Sequence, residues 1–111
     1  MARIIAFIPD LLFGSGVVSA LQGAGHQVEL RSQLQGAAGA DLLIVDLTAD
    51  PEQRIAEVER MQGAATPVLA FYSHVESEVR ARAQKAGFDL VVPRSRMARE
   101  GVALTERALS R

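Results

Sequence analysis

Five short strand-like runs, four of them mainly apolar, each followed by a segment of different periodicity, leave this chain few architectures. The runs are RIIAFI (3–8), HQVELRS (26–32), DLLIVD (41–46), TPVLAFY (66–72) and FDLVV (88–92). Most of the segments between them show helical spacing. LLFGSGVVSALQGAG (11–25) puts Val17, Leu21 and Ala24 on one face and stops at Gly25. DPEQRIAEVERMQGAA (50–65) offers Asp50 as a cap, Pro51 at the first helical position and Ile55, Val58 and Met61 as an inner stripe. VESEVRARAQKAG (75–87) repeats the period through Val75, Val79, Ala83 and Ala86, and MAREGVALTERALSR (97–111) turns Ala98, Val102, Thr105 and Leu109 inward. QLQGAAGA (33–40) is too brief and glycine-rich for more than a turn or two of helix. Apolar strands joined by amphipathic helices predict a parallel sheet covered on both faces, a three-layer α/β sandwich.

The chain has 111 residues, 49% of them hydrophobic, which predicts one domain with a real core and is too short for two. No apolar run approaches membrane-spanning length, and Pro9 and Asp10 interrupt the N-terminal run too early for a secretory signal. A cytoplasmic protein without a membrane partner is the expectation. Cysteine is absent, so disulfides, thiolate metal sites and a cysteine nucleophile are excluded, and His26 and His74 stand too far apart to found a zinc site. Charge is unevenly spread along the chain. Residues 1–75 carry four arginines against eight acids, and residues 76–111 carry eight bases against five acids. Such a gradient can steer an acidic partner toward the C-terminal half, unless the charges are simply solvated helix faces.

Asp46 ends the third run and is delivered to the edge of the sheet, where open α/β sheets bind ligands. Asp10 follows the first run and should meet it there, so the two carboxylates are expected to form an acidic pocket able to hold a divalent ion weakly. Alternatively Asp46 accepts hydrogen bonds from the loop after it. FGSG (13–16) lacks the third glycine and the spacing of a dinucleotide loop, and the second strand ends in Arg31 instead of a ribose-binding acid. Gly14 and Gly16 then loosen the first helix or let it approach a neighbour. Tyr72, Ser73 and His74 bring hydroxyls and an imidazole, but adjacent Ser73 and His74 cannot readily face one another as nucleophile and base.

LLIVDL, PVLAFYS and ARAQKAGFDLVV together resemble the receiver domains of two-component response regulators, and the resemblance covers nearly the whole chain. It implies a flavodoxin-like sheet of strand order 2-1-3-4-5. It also implies phosphoryl transfer to an aspartate, supported by Mg²⁺ on an acidic pair, a hydroxyl after strand four and a lysine after strand five. Asp46 matches the acceptor. Pro9 and Asp10 fall on the acidic pair, Tyr72 on the hydroxyl position with Ser73 beside it, Pro93 on the lysine, and Leu90 on the aromatic position of strand five. The sole lysine, Lys85, belongs to the preceding helix, so only Arg94 could reach a phosphoryl group, and a forked guanidinium is not a neutral replacement for an ammonium. PDLLFGSG (9–16) is also similar to small stand-alone receiver-like proteins.

These departures point to a degenerate pseudo-receiver: a non-enzymatic signalling and protein-interaction module without standard phosphorylation and without a cofactor beyond weakly held Mg²⁺. Pro9, Tyr72, Ser73 and Pro93 should line its pocket. Arg94, Arg96 and Arg99 mark the interaction face, formed by the helix over 75–87, the fifth strand and the last helix, through which receivers commonly dimerise or contact a protein partner. Leu104 is assigned to the same face. With Ala108 it adds apolar surface beside the inner stripe, either as core or as a self-association patch. A pI of about 6.1 and the scarcity of aromatics argue against nucleic acid. Two alternatives stay open: an atypical phosphoacceptor using Asp46, and a small-ligand binder at the crevice of the sheet.

Overall fold

A computed structural model describes residues 2–33, 39–61, 66–73 and 77–110. The segment 33–40, expected to hold a short helical turn, lies mostly outside the described residues, as do 62–65 and His74. The elements follow the order β1 (Arg3–Phe7), α1 (Leu11–Gly23), β2 (Gln27–Arg31), β3 (Leu42–Asp46), α2 (Pro51–Met61), β4 (Val68–Tyr72), α3 (Ser77–Lys85), β5 (Leu90–Pro93) and α4 (Arg94–Leu109). All strand pairs are parallel, in the order β2-β1-β3-β4-β5.

Alternation along the strands divides the core in two. Ile5, Phe7, Leu43, Val45, Val68, Ala70 and Tyr72 face Ile55 and Val58 of α2 and Val79 and Ala83 of α3. Ile4, Ala6, Leu42, Ile44, Leu69 and Phe71 face Val17 and Leu21 of α1 and Met97, Leu104 and Ala108 of α4. β3 and β4 are buried throughout, because helices cover both faces of the sheet; each enclosed Leu or Ile contributes about 1.5–3 kcal/mol. β2 lies at the sheet's edge and is only partly covered. At the amino ends of the strands two aspartates close the ladder: Asp41 accepts from the Arg3 amide and Asp89 from the Val68 amide, both at 2.8 Å. Gly25 and Gly87, at φ of +94° and +89°, turn the chain out of α1 and α3. No helix among the described residues is long and apolar enough to cross a membrane.

The last helix differs from its expected form. It begins at Arg94, three residues early, and Glu100 (φ −126°, ψ 24°) kinks it. Its buried residues are Met97, Leu104, Thr105 and Ala108, whereas Ala98 is exposed and Val102 and Leu109 are half-buried. Leu104, assigned to an interaction face from the sequence, is therefore core, at 2% exposure. Met97 and Leu104 have more apolar area to remove from water than Ala98 and Val102, so they set the helix's rotation.

Candidate functional site

Asp46 closes β3 at 4% exposure. Its Oδ1 accepts from the Thr48 amide at 2.8 Å and from the Thr48 hydroxyl at 2.6 Å. Arg54, the fourth residue of α2, reaches back over the end of the sheet: its Nη1 donates to the Asp46 carbonyl at 2.7 Å and stands 3.9 Å from Oδ1. The guanidinium also lies 5.2 Å over the Phe7 ring. Arg54 is thus a largely buried cation, its side chain 13% exposed, placed against a buried acid by the register of α2 on the sheet. Sequence reasoning missed it. The available signals were a threonine two residues beyond the acid, which suits a side-chain turn, and an arginine next to the inner-stripe residue Ile55.

Asp10 is the N-cap of α1. Its Oδ1 accepts from the Leu12 and Phe13 amides at 3.1 Å each, which satisfies two free donors of the helix, and its Oδ2 lies 3.3 Å from Arg94 Nη2. Arg94 stacks over Phe13 with 4.3 Å from guanidinium carbon to ring centroid, and Phe13 in turn packs on Phe71 with centroids 5.1 Å apart. A short crevice of about 540 Å³ opens beside this stack, lined by Phe13, Thr48, Ser73, Arg94, Ser95 and Ala98.

The two carboxylates expected to share a pocket have separate partners, Asp46 in Thr48 and Arg54 and Asp10 in the α1 amides and Arg94. Asp10 and Asp46 lie at the same end of the sheet, but Asp46 lines neither the crevice nor the larger groove that Asp10 borders. Tyr72 does not line the crevice either. It pairs with Pro93 one position past the Asp46↔Phe71 pair and shares the face of Val68 and Ala70, so its ring enters the core toward α2 and α3. Ser73, of the two, is the hydroxyl that opens into the crevice. Pro9 is exposed, and Pro93 caps α4 through its backbone without a side-chain bond; neither lines the crevice. Of the three clustered arginines, Arg94 and Arg99 border the α1 side of the last helix, while Arg96 and Arg99 share Glu100, at 3.4 and 3.8 Å.

Mg²⁺ seeks several oxygen ligands in a near-octahedral set. Here Asp46 is shared between Thr48 and Arg54, Asp10 between the α1 amides and Arg94, and Pro9 brings no side-chain oxygen. Among the described residues no three His, Cys, Asp or Glu side chains gather as a metal site. The residues present do not fit the metal that the resemblance implies.

No family model and no curated protein sequence matches the chain. Solved structures do. A response regulator from Thermotoga maritima superposes with a TM-score of 0.85 at 17% identity, covering 100% of this chain and 99% of its own. The non-phosphorylated receiver domain of HemR from Leptospira biflexa gives a TM-score of 0.82 at 19% identity, covering 100% and 96%. HP1043, an orphan response regulator of H. pylori, gives 0.78 at 17% identity, covering 97% and 96%. The fold is that of a receiver domain. On a receiver fold Asp46 stands at the end of the central strand β3, and among the described residues the side chains of Arg54 and Thr48 engage it.

Proposed function

We propose that this receiver-fold chain is a non-enzymatic signalling module that works by binding a protein partner, with Asp46 kept as a structural acid and not used as a phosphoryl acceptor. The observation that carries this reading is the Thr48–Asp46–Arg54 arrangement. Acceptor chemistry needs a free carboxylate oxygen in line with the donor and a metal to offset the charge that accumulates. Thr48 occupies Oδ1 of Asp46 with a hydroxyl and an amide, Arg54 stands 3.9 Å from the same oxygen, and no group of three carboxylate or imidazole side chains accompanies it among the described residues to hold the metal. The signalling role is carried over from the response regulators that share the fold. We assign the partner's contact to the exposed side of α3, β5 and α4 around Arg96, where planar donors stand half-exposed; pairing of two copies through the same face is its simplest form.

An amide NMR titration of the chain with Mg²⁺ followed by beryllofluoride, repeated on Asp46→Asn, tests the reading. No saturable change at Asp10, Asp46 or Ser73 is the expected result. Shifts clustered there in the wild type and lost in Asp46→Asn would make the chain a working phosphoacceptor and sink the proposal.

A further inference from the structure

Between α1 and α4 runs a groove of about 810 Å³, within the range of small-ligand sites. Its α1 wall is Leu12, Gly16 and Ala20, spaced four residues apart on one face, and its α4 wall includes Ala98 and Val102. The described chain leaves this channel open. Leu12 is 87% exposed, and a Cβ added at Gly16 would meet nothing within 4 Å. From Leu12 to Ala20 the wall runs about 12 Å, taking the helical rise per residue, which matches a medium-length alkyl chain.

At one end the groove meets the crevice, and Arg94 lines both. Its guanidinium lies over the Phe13 ring and gives one donor to Asp10 across 3.3 Å, between side chains that are each about half exposed. An arginine has five donors, so an edge of the fork remains for a carboxylate. The hydroxyls of Ser73 and Ser95 line the same crevice and have no hydrogen-bond partner among the described residues. Because Arg94 is already paired with Asp10, the head of a ligand has only the free edge of the guanidinium and two neutral hydroxyls to meet, which suits no more than one negative charge. The carboxylates of Asp10 and Asp46 at this end of the sheet oppose a second, which disfavours a phosphate dianion. Arg99, the other cation of the groove, already faces Glu100 at 3.8 Å.

We infer that the groove binds a small apolar carboxylate, its tail along Leu12, Gly16 and Ala20 and its head on Arg94 with Ser73 and Ser95. Such a ligand provides a non-covalent input at the edge of the sheet, in a place independent of whether Asp46 is ever phosphorylated.

The test is amide NMR on the full chain with three probes: decanoate below its micelle concentration, decanol as the same tail without charge, and inorganic phosphate as charge without tail. Decanoate is expected to give saturable shifts at Gly16, Ala20, Ser95 and Val102. Arg94→Gln should weaken it about tenfold, the scale of one lost charge-assisted contact. Gly16→Leu, which leaves Arg94 untouched and fills the channel from the α1 side, should block it. Absence of saturable shifts overturns the inference. So does decanol binding as tightly as decanoate with no effect of Arg94→Gln, or phosphate moving the Ser73 and Ser95 signals as far as decanoate does. Shifts at the groove that follow protein concentration without any probe would show a second copy covering it, and would also overturn the proposal.

Discussion

Arg54 supplies from within the chain the positive charge that a buried carboxylate at the end of β3 requires, and it is positioned by packing on Phe7 as much as by Asp46 itself. Arg54→Met should leave Asp46 enclosed with only Thr48 as partner, at a loss of about 1–3 kcal/mol, because an acid deprived of its partner retains its desolvation penalty. Adding Asp46→Asn should return part of that loss; urea denaturation of the four members of the double-mutant cycle measures the coupling, and additive losses would mean the two residues act separately. Thr105 presents the opposite case. It is fully buried, and its hydroxyl finds no partner among the described residues. Thr105→Val removes that unmatched group at nearly constant volume and is expected to stabilise the fold by about 1 kcal/mol, read as a higher urea midpoint with an unchanged slope.

Within α1 two glycines separated by one residue do different things. Gly14 is buried, and a Cβ there would come within 2.9 Å of Leu30 Cδ1 on β2, so this glycine brings helix and edge strand together. Gly16 faces open space. Gly16→Ala should therefore raise stability by about 1 kcal/mol through helix propensity alone, while Gly14→Ala must also displace Leu30 and should gain less or lose; thermal denaturation of the two variants ranks them. The sequence motif FGSG offered both roles without assigning them. α4 teaches a related lesson: its apolar period was legible, but its rotation was not. Ala98 and Met97 both fit a helical stripe, and only the contact with Val17, Leu21 and Phe71 selects the larger side chain.

Across the whole molecule the uneven charge of the sequence is partly cancelled in space. Arg82 on α3 pairs with Glu52 and Glu59 of α2 at 3.1 and 3.0 Å, and Arg94 reaches Asp10, so bases of the C-terminal part fold onto acids of the N-terminal part. On the edge strand β2, the hydrogen bond from Arg31 holds the Glu29 carboxyl below its usual range. Its folded value is depressed, so its contribution is complete above the ordinary glutamate value and is lost as pH falls through the lower folded one. Glu29→Gln is expected to lower neutral stability slightly and to converge with the wild type as pH falls through that window, so that its acid limb is flatter; an identical acid limb would rule the pair out as a contributor. The sequence by itself determined the class of fold, because continuous apolar strands and amphipathic helices are local patterns that admit only a sheet covered on both faces. It also marked Asp46 and Asp10 as residues at the carboxyl edge, since the first ends an apolar run and the second comes just after one. Tertiary structure alone decided what those acids face. Arg54 and Arg94 come from helices 8 and 84 residues away in sequence from their partners. Strand register, not composition, turned Tyr72 into the core and Ser73 into the crevice, because neighbours along a strand take opposite faces and the pairing fixes which.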